Sequence, residues 1–213
     1  MRVGLTVTDS RGQSSTTTFK TVHAGEHPPT VWITRPGPDA RFAVGQTVDL
    51  AAEAVDAEDG TLPASAVTWT LLLRHANHFH PHLGPVTGGS VRTAYPPPEN
   101  LRAARTSRLV AVAEAVDSHG LTTRARLVLL PRTVGLTFRT SPAGGRLLIQ
   151  GELRRTPVSL ESWVRYVIPV RAPDQRIGGV PHVFRSWSDG KNRLHDVVSP
   201  AVPTEYVARF RRR

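Results

Sequence analysis

The chain has 213 residues, of which 39% are hydrophobic, and it contains no cysteine. Its 27 Lys and Arg residues against 17 Asp and Glu residues give a formal net charge of +10 at pH 7. These numbers exclude disulfide frameworks, thiol catalysis and cysteine-based zinc sites, and the lack of any apolar run near the ~18 residues of a membrane span excludes a membrane-spanning helix.

Alternating apolar and polar residues, separated by turn clusters, predict strands along almost the whole chain. A first hairpin is predicted from residues 3–7 and 14–22 around the turn at residues 9–12. Residues 75–89 are predicted to be a histidine-rich loop, and residues 99–106 a helical turn or a loop. The other predicted strands are residues 30–34, 48–54, 67–73, 90–95, 107–116, 121–130, 136–140, 146–150, 164–170, 182–187 and 205–210.

Short strands at intervals of ~8–12 residues are typical of a β-sandwich. The sequence therefore predicts an all-β fold: an immunoglobulin-like sandwich plus a small C-terminal β module. Trp69, in the middle of an apolar strand, is predicted to lie in the core of the sandwich.

An internal repeat predicts how the chain divides into domains. The turn sequence Asp9-Ser10-Arg11-Gly12 recurs as Asp117-Ser118-His119-Gly120, and an immunoglobulin-like sandwich has ~100 residues. We interpret residues 1–23 as the last hairpin of a truncated sandwich, residues 24–133 as a complete sandwich, and residues 134–213 as a small basic module. The chain is then expected to be a fragment of a longer secreted protein.

Several segments resemble known bacterial modules. Residues 5–12 (LTVTDSRG) resemble the closing strand of PKD-type domains, and residues 28–36 (PPTVWITRP) and 56–63 (DAEDGTLP) resemble their Ig-like neighbours. Residues 69–85 (WTLLLRHANHFHPHLGP) are similar to a motif in the tails of secreted actinobacterial sugar dehydrogenases of the glucose/sorbosone type, which bind pyrroloquinoline quinone in a separate propeller domain. Residues 184–190 (FRSWSDG) resemble small bacterial repeat modules. The resemblance implies a PKD/Ig-like tail that carries no catalytic residue of the enzyme.

The positive charge is distributed unevenly. Residues 1–23 carry a net charge of +2, residues 24–133 are neutral, and residues 134–213 carry +8. Lysine occurs only at Lys20 and Lys191, so the excess of arginine is typical of a GC-rich genome and does not by itself indicate a nucleic-acid partner. The basic third module favours contact with acidic cell-wall polymers or polysaccharides.

Four histidines, His75, His78, His80 and His82, are the strongest chemical signal in the chain. Neutral imidazoles bind Zn²⁺, Cu²⁺ or Ni²⁺, and alternate residues of an extended segment point to the same side. Asn77 or an acidic residue is expected to complete the coordination shell. The alternative is a polar loop whose histidines bond to the backbone and to neighbouring side chains.

Two further candidate sites are weighed against ordinary structural roles. Carboxylate oxygens suit Ca²⁺, so Asp56, Glu58, Asp59 and Asp117 form a candidate calcium site, although Asp before Gly is also common turn chemistry. Trp163, Trp187 and Tyr206 form a candidate carbohydrate-binding platform, although tryptophan in a small sandwich mostly fills the core. No arrangement of residues indicates a nucleophile; Ser188, Asp189 and His195 have no supporting motif.

We therefore expect a non-catalytic accessory, adhesion or spacer segment of a secreted bacterial protein. Two alternatives stay open: the C-terminal part of a sugar dehydrogenase whose histidine loop lies near a metal or substrate, and a carbohydrate-binding module.

Overall fold

Strands make up most of the chain, which confirms the all-β fold class. A computed structural model describes residues 1–22 and 25–213, so residues 23 and 24, at the predicted boundary between the first two domains, lie outside the described residues. Within the described ranges there are twenty strands, a 3₁₀ turn at Ala64–Ala66 and one short helix, and no helix has the length and apolar character of a membrane span.

The elements have the following bounds: β1 Arg2–Leu5, β2 Thr18–Thr21, β3 Thr30–Arg35, β4 Arg41–Phe42, β5 Thr47–Asp56, β6 Gly60–Thr61, β7 Val67–His75, β8 His78–Thr87, β9 Ser90–Ala94, α1 Leu101–Ala104, β10 Arg108–Val116, β11 Thr122–Pro131, β12 Thr133–Ser141, β13 Arg146–Ile149, β14 Glu152–Arg155, β15 Val158–Trp163, β16 Val167–Arg171, β17 Gln175–Ile177, β18 Val180–Trp187, β19 Leu194–Val198 and β20 Thr204–Arg212.

The middle sandwich consists of two sheets. One has the strand order β4-β11-β10-β7-β8, and the other contains β3 and β5, with both β6 and β9 paired to β5. Alternate residues of β10 and β7 point inward, and Trp69, Leu71 and Leu109 have no exposed surface. The burial of Trp69 confirms its predicted place in the core.

The C-terminal module repeats this arrangement with shorter strands. Its sheets have the orders β15-β12-β20-β18-β17 and β14-β13-β16-β19. Strand β12 alternates strictly between buried and exposed residues, as a strand with one face on a core does. Leu136 and Phe138 from one sheet and Ile149 and Ile168 from the other are fully buried.

The repeated turn has the same hydrogen bonds in both copies. The Asp9 carboxylate accepts bonds from the N–H groups of Arg11 and Gln13 at 2.8 and 2.9 Å. Asp117 accepts bonds from His119 and Leu121 at 2.9 and 2.7 Å. The two aspartates therefore form the turns in the way that the sequence predicted.

The two modules are joined without a flexible linker. Only Arg132 separates β11 from β12, and the buried residues of both modules form one hydrophobic cluster. Trp163, at the end of β15, has no exposed surface, and its indole N–H donates to the carbonyl of Ala104 at 2.9 Å. Its ring meets Phe42 edge-on at 5.4 Å, and Phe42 stacks on Tyr95 at 4.2 Å.

Backbone and side-chain hydrogen bonds surround this aromatic contact. Val44 donates to the carbonyl of Val164 at 3.0 Å, and Val164 donates to that of Arg132 at 2.9 Å. Leu101 of α1 donates to the Gln150 side chain at 2.9 Å. We call this region, from Phe42, Tyr95 and α1 on one side to Gln150 and Trp163 on the other, the joint.

Trp163→Ala is expected to lower the free energy of unfolding by about 3–5 kcal/mol, because it leaves a cavity in the joint and an unpaired Ala104 carbonyl. The variant should also unfold in two steps, since the modules lose their shared contact. Chemical denaturation followed by circular dichroism measures both effects. Trp32→Ala, at a position with 39% exposure, should cost about 1 kcal/mol or less and keep a single transition. Equal costs at the two positions would contradict a special role for Trp163.

Candidate metal centre

The histidine-rich segment is a strand, not the predicted loop. Strands β7 and β8 form a hairpin around Ala76 and Asn77, and Ala76 takes the left-handed conformation with a φ of 45°. His75 lies directly opposite His78, and His80 follows on the same face of β8. The loop prediction was wrong because the segment alternates histidine with apolar residues, as a strand does, and pairs with β7 from His78 to Thr87.

Three of the four histidines converge at the tip of this hairpin. The ligand atoms of His75, His78 and His80 all lie within 4.8 Å of one another. The Nε2 atoms of His75 and His80 are 3.0 Å apart, and the rings of His75 and His78 meet edge-on at 4.0 Å. We call these three residues the histidine cluster.

Glu99 supplies an oxygen donor beside two members of the cluster, His75 and His80. Its two carboxylate oxygens lie 3.0 Å from the Nε2 atoms of His75 and His80. The sequence prediction named Asn77 or an unspecified acidic residue, and the structure places Glu99 there. In the sequence, Glu99 is the first acidic residue after Asp59, which is the signal that could have indicated it as a ligand. Its position beside the hairpin is seen only in the folded chain.

His82 does not belong to the cluster, which corrects the predicted set of four. Its Nε2–H group donates to the carbonyl of Ala94 at 2.8 Å, so that nitrogen has no lone pair free for a metal. Although His82 follows His80 at the same spacing, it lies closer to β9 than to the hairpin tip.

The carboxylates of the candidate calcium site are used in turns and loop contacts. Asp56 accepts bonds from the N–H groups of Glu58 and Asp59, both at 2.9 Å. Asp59 accepts bonds from the N–H and hydroxyl groups of Ser118, and Asp117 closes its own turn. Within the part of the chain that the structure describes, the only group of three or more metal-binding side chains that converges is the histidine cluster. Calcium binding at Asp56, Glu58, Asp59 and Asp117 stays a prediction.

The acidic loops also hold the segment that follows the first hairpin. Glu58 bonds to the His27 ring at 2.7 Å, which raises the pKa of His27. Glu26 pairs with His119 at 3.1 Å. These contacts give the acidic residues a structural role at the end of the middle sandwich remote from the joint.

The predicted carbohydrate-binding platform is wrong. Trp163, Trp187 and Tyr206 are 0%, 2% and 8% exposed, so their ring faces are covered by protein and cannot stack on a sugar. Trp163 lies in the joint, while Tyr206 stacks on Phe138 at 5.3 Å. These aromatic residues instead lie in the core, because a small β module needs its largest rings to fill its interior.

Comparisons with known proteins do not assign the chain to a family. No protein-family model matches it, and no curated protein matches it in sequence. Among solved structures, it is similar to a "Ca2+-stabilized adhesin" that "helps an Antarctic bacterium reach out and bind ice", at 15% identity and a TM-score of 0.26 over 96% of this chain. It is also similar to the major pilin subunit of Bacillus cereus, at 8% identity and a TM-score of 0.26.

This chain spans 56% of the adhesin chain and 78% of the pilin chain. A TM-score of 0.26 is too low to carry an argument about shared function. The chemistry of the site therefore has to be argued from its own residues.

Asp56→Asn is expected to reduce the loss of stability in acid. The N–H groups of Asp59 and Glu58 hold the pKa of the Asp56 carboxyl below its ordinary value of 3.8. A lowered folded-state pKa contributes stability that is complete above 3.8 and is lost as the pH falls below it. Urea unfolding at about pH 6 and about pH 3 should show a smaller difference between the two pH values for the variant than for the wild type. An identical difference would show that Asp56 does not contribute.

Proposed function

We propose that the chain is a non-catalytic accessory segment of a secreted bacterial protein, in which the middle sandwich and the C-terminal module act together as a rigid spacer. The observation that carries this proposal is the joint, where Trp163 is fully buried against the other module. Ordinary interfaces between domains of one chain permit relative motion unless they are large and hydrophobic. A shared core with cross-module hydrogen bonds restricts that motion.

The neutral charge of the middle sandwich and the basic charge of the C-terminal module favour different tasks. The former holds the two ends apart, and the latter contacts an acidic polymer of the cell envelope. A surface groove of the C-terminal module supports this, since three arginines line it together with a single acidic residue, Asp174: Arg146, Arg155 and Arg176.

The resemblance to the tails of secreted sugar dehydrogenases suggests a parent protein. On the segments quoted above, we propose that the spacer is attached to such an enzyme, with the propeller on another part of the parent chain. The support for this step is the resemblance of residues 69–85 to the motif in those tails.

The rigidity can be measured directly because the chain has no cysteine. Ala57 and Ala143 are exposed residues in turns at the ends of the two modules remote from the joint, so Ala57→Cys/Ala143→Cys accepts two spin labels. Pulsed electron paramagnetic resonance should give one narrow distance distribution, and adding Trp163→Ala should broaden it. A broad distribution with Trp163 intact would overturn the spacer function.

Binding to an acidic polymer should be sensitive to salt and should depend on the groove. We expect retention on immobilised teichoic acid at low ionic strength and release as the Debye length falls below ~10 Å, which occurs above ~0.1 M salt. Arg146→Ala/Arg155→Ala/Arg176→Ala should elute earlier than a control that removes the same charge from exposed arginines of the middle sandwich, Arg35→Ala/Arg41→Ala/Arg126→Ala. If both variants elute together, net charge alone explains the retention and the groove has no role.

A further inference from the structure

Hydrogen bonds alone cannot satisfy all the polar atoms of His75, His80 and an ionised Glu99. Both Nε2 atoms lie 3.0 Å from each other and from a Glu99 oxygen. If both nitrogens carry protons, each donates to Glu99 and the two N–H groups face each other. If only one nitrogen carries a proton, the bare lone pair of the other faces a carboxylate oxygen. With the Glu99 carboxylate ionised, every distribution of protons over the two imidazoles therefore leaves at least one of the three contacts repulsive.

A divalent cation resolves this conflict because every donor then turns a lone pair toward the ion. Ligand atoms of a tetrahedral zinc site, with Zn–N bonds of ~2.0–2.1 Å, lie ~3.3 Å apart. The 3.0 Å separations need to widen by a few tenths of an ångström, and the largest separation among the three histidines, within 4.8 Å, needs to close by up to ~1.5 Å. Glu99, which contacts His75 and His80, also has to approach His78. The tip of a hairpin and the long Glu99 side chain can supply such shifts.

The donor set indicates which ion and which role. Three imidazoles with one carboxylate suit Zn²⁺ in tetrahedral geometry. Four protein ligands leave no position for water or substrate, which is typical of a structural site and not of a catalytic one. The side chains of His75, His80 and Glu99 are 14%, 44% and 40% exposed, so an ion can reach them from solvent.

The position of Glu99 connects this site to the joint. Glu99 directly precedes Asn100, whose side chain caps α1 by accepting a bond from Ala103 at 2.8 Å. Helix α1 carries the carbonyl that receives the Trp163 indole and the N–H that donates to Gln150. On the N-terminal side of Glu99, the chain runs from buried Tyr95 through three prolines, Pro96, Pro97 and Pro98. The fixed φ angle of proline limits the motion of this segment. An ion bound at Glu99 thus fastens the segment between these two anchors to the β7–β8 hairpin.

We propose that His75, His78, His80 and Glu99 bind one Zn²⁺ ion, and that the ion stabilises the α1 segment on which the C-terminal module packs. The inference rests on the proposed spacer function, since the ion adds to the stiffness that the buried contacts of the joint already supply. The site is built by a hairpin and a loop of the middle sandwich alone.

Zinc binding to the full chain, measured by competition with a chromophoric chelator, tests the ligand set. The wild type should bind one equivalent, His80→Ala should lose at least about 100-fold in affinity, and Glu99→Gln about tenfold. His82→Asn is the matched control, because His82 lies on the same strand but bonds to Ala94, and it should bind as tightly as the wild type. Equal weak binding by all four proteins, or equal loss in His82→Asn and His80→Ala, would overturn the site.

Amide hydrogen exchange of residues 96–105 tests the link to the joint. Zinc should slow exchange there at least about tenfold in the wild type and leave it unchanged in His80→Ala. If His80→Ala fails to fold, Glu99→Gln replaces it in this test, because it is a conservative change at a half-exposed side chain. Zinc binding without slower exchange in this segment would overturn the proposed stabilisation. The spin-label distances without zinc test the spacer function separately, so the two proposals can fail independently.

Discussion

The insertion of Trp163 between the two modules is the contact on which the rest of the architecture depends. Neither module is large, and a small domain buries a smaller fraction of its surface than a large one does. By placing its largest ring against Phe42 and bonding it to Ala104, the C-terminal module extends the core of its neighbour. The two modules therefore share one cluster of buried residues, and Trp163 lies where they meet.

The long hairpins could be predicted from the sequence because their burial follows the two-residue period of a strand. Strands β10 and β11 begin and end within about one residue of the predicted ranges. Apart from β8, which was predicted to be a loop, the strands that prediction missed are short: β4 and β6 have two residues each, β14, β17 and β19 have three to five, and β15 has six. In so short a segment, pairing with a neighbour decides the structure, and the period of the segment itself carries almost no information.

The site could be predicted in part, for a similar reason. The spacing of His78 and His80 shows that they share a face, and the turn brings His75 to them. The contribution of Glu99 depends on the path of three prolines and a helix cap, which no local pattern encodes. His82 has the sequence spacing expected of a ligand, but its Nε2 atom bonds to the Ala94 carbonyl and not to the histidine cluster. Likewise, the sequence around each aromatic residue does not show whether the ring will be buried by other parts of the fold.

The two groups of acidic residues differ in what their carboxylate oxygens contact. Asp56 and Asp117 each direct one carboxylate oxygen, Oδ1, at backbone N–H groups of their own turns, so the lone pairs of that atom already stabilise the fold. The second oxygen of Asp56, Oδ2, is buried and accepts no hydrogen bond from the described residues. A cation would have to replace bonds that cost free energy to break. Glu99 faces two imidazole nitrogens that compete for the same proton positions. At that point a cation removes a repulsive contact, and the same carboxylate chemistry that closes a turn elsewhere becomes available for a ligand.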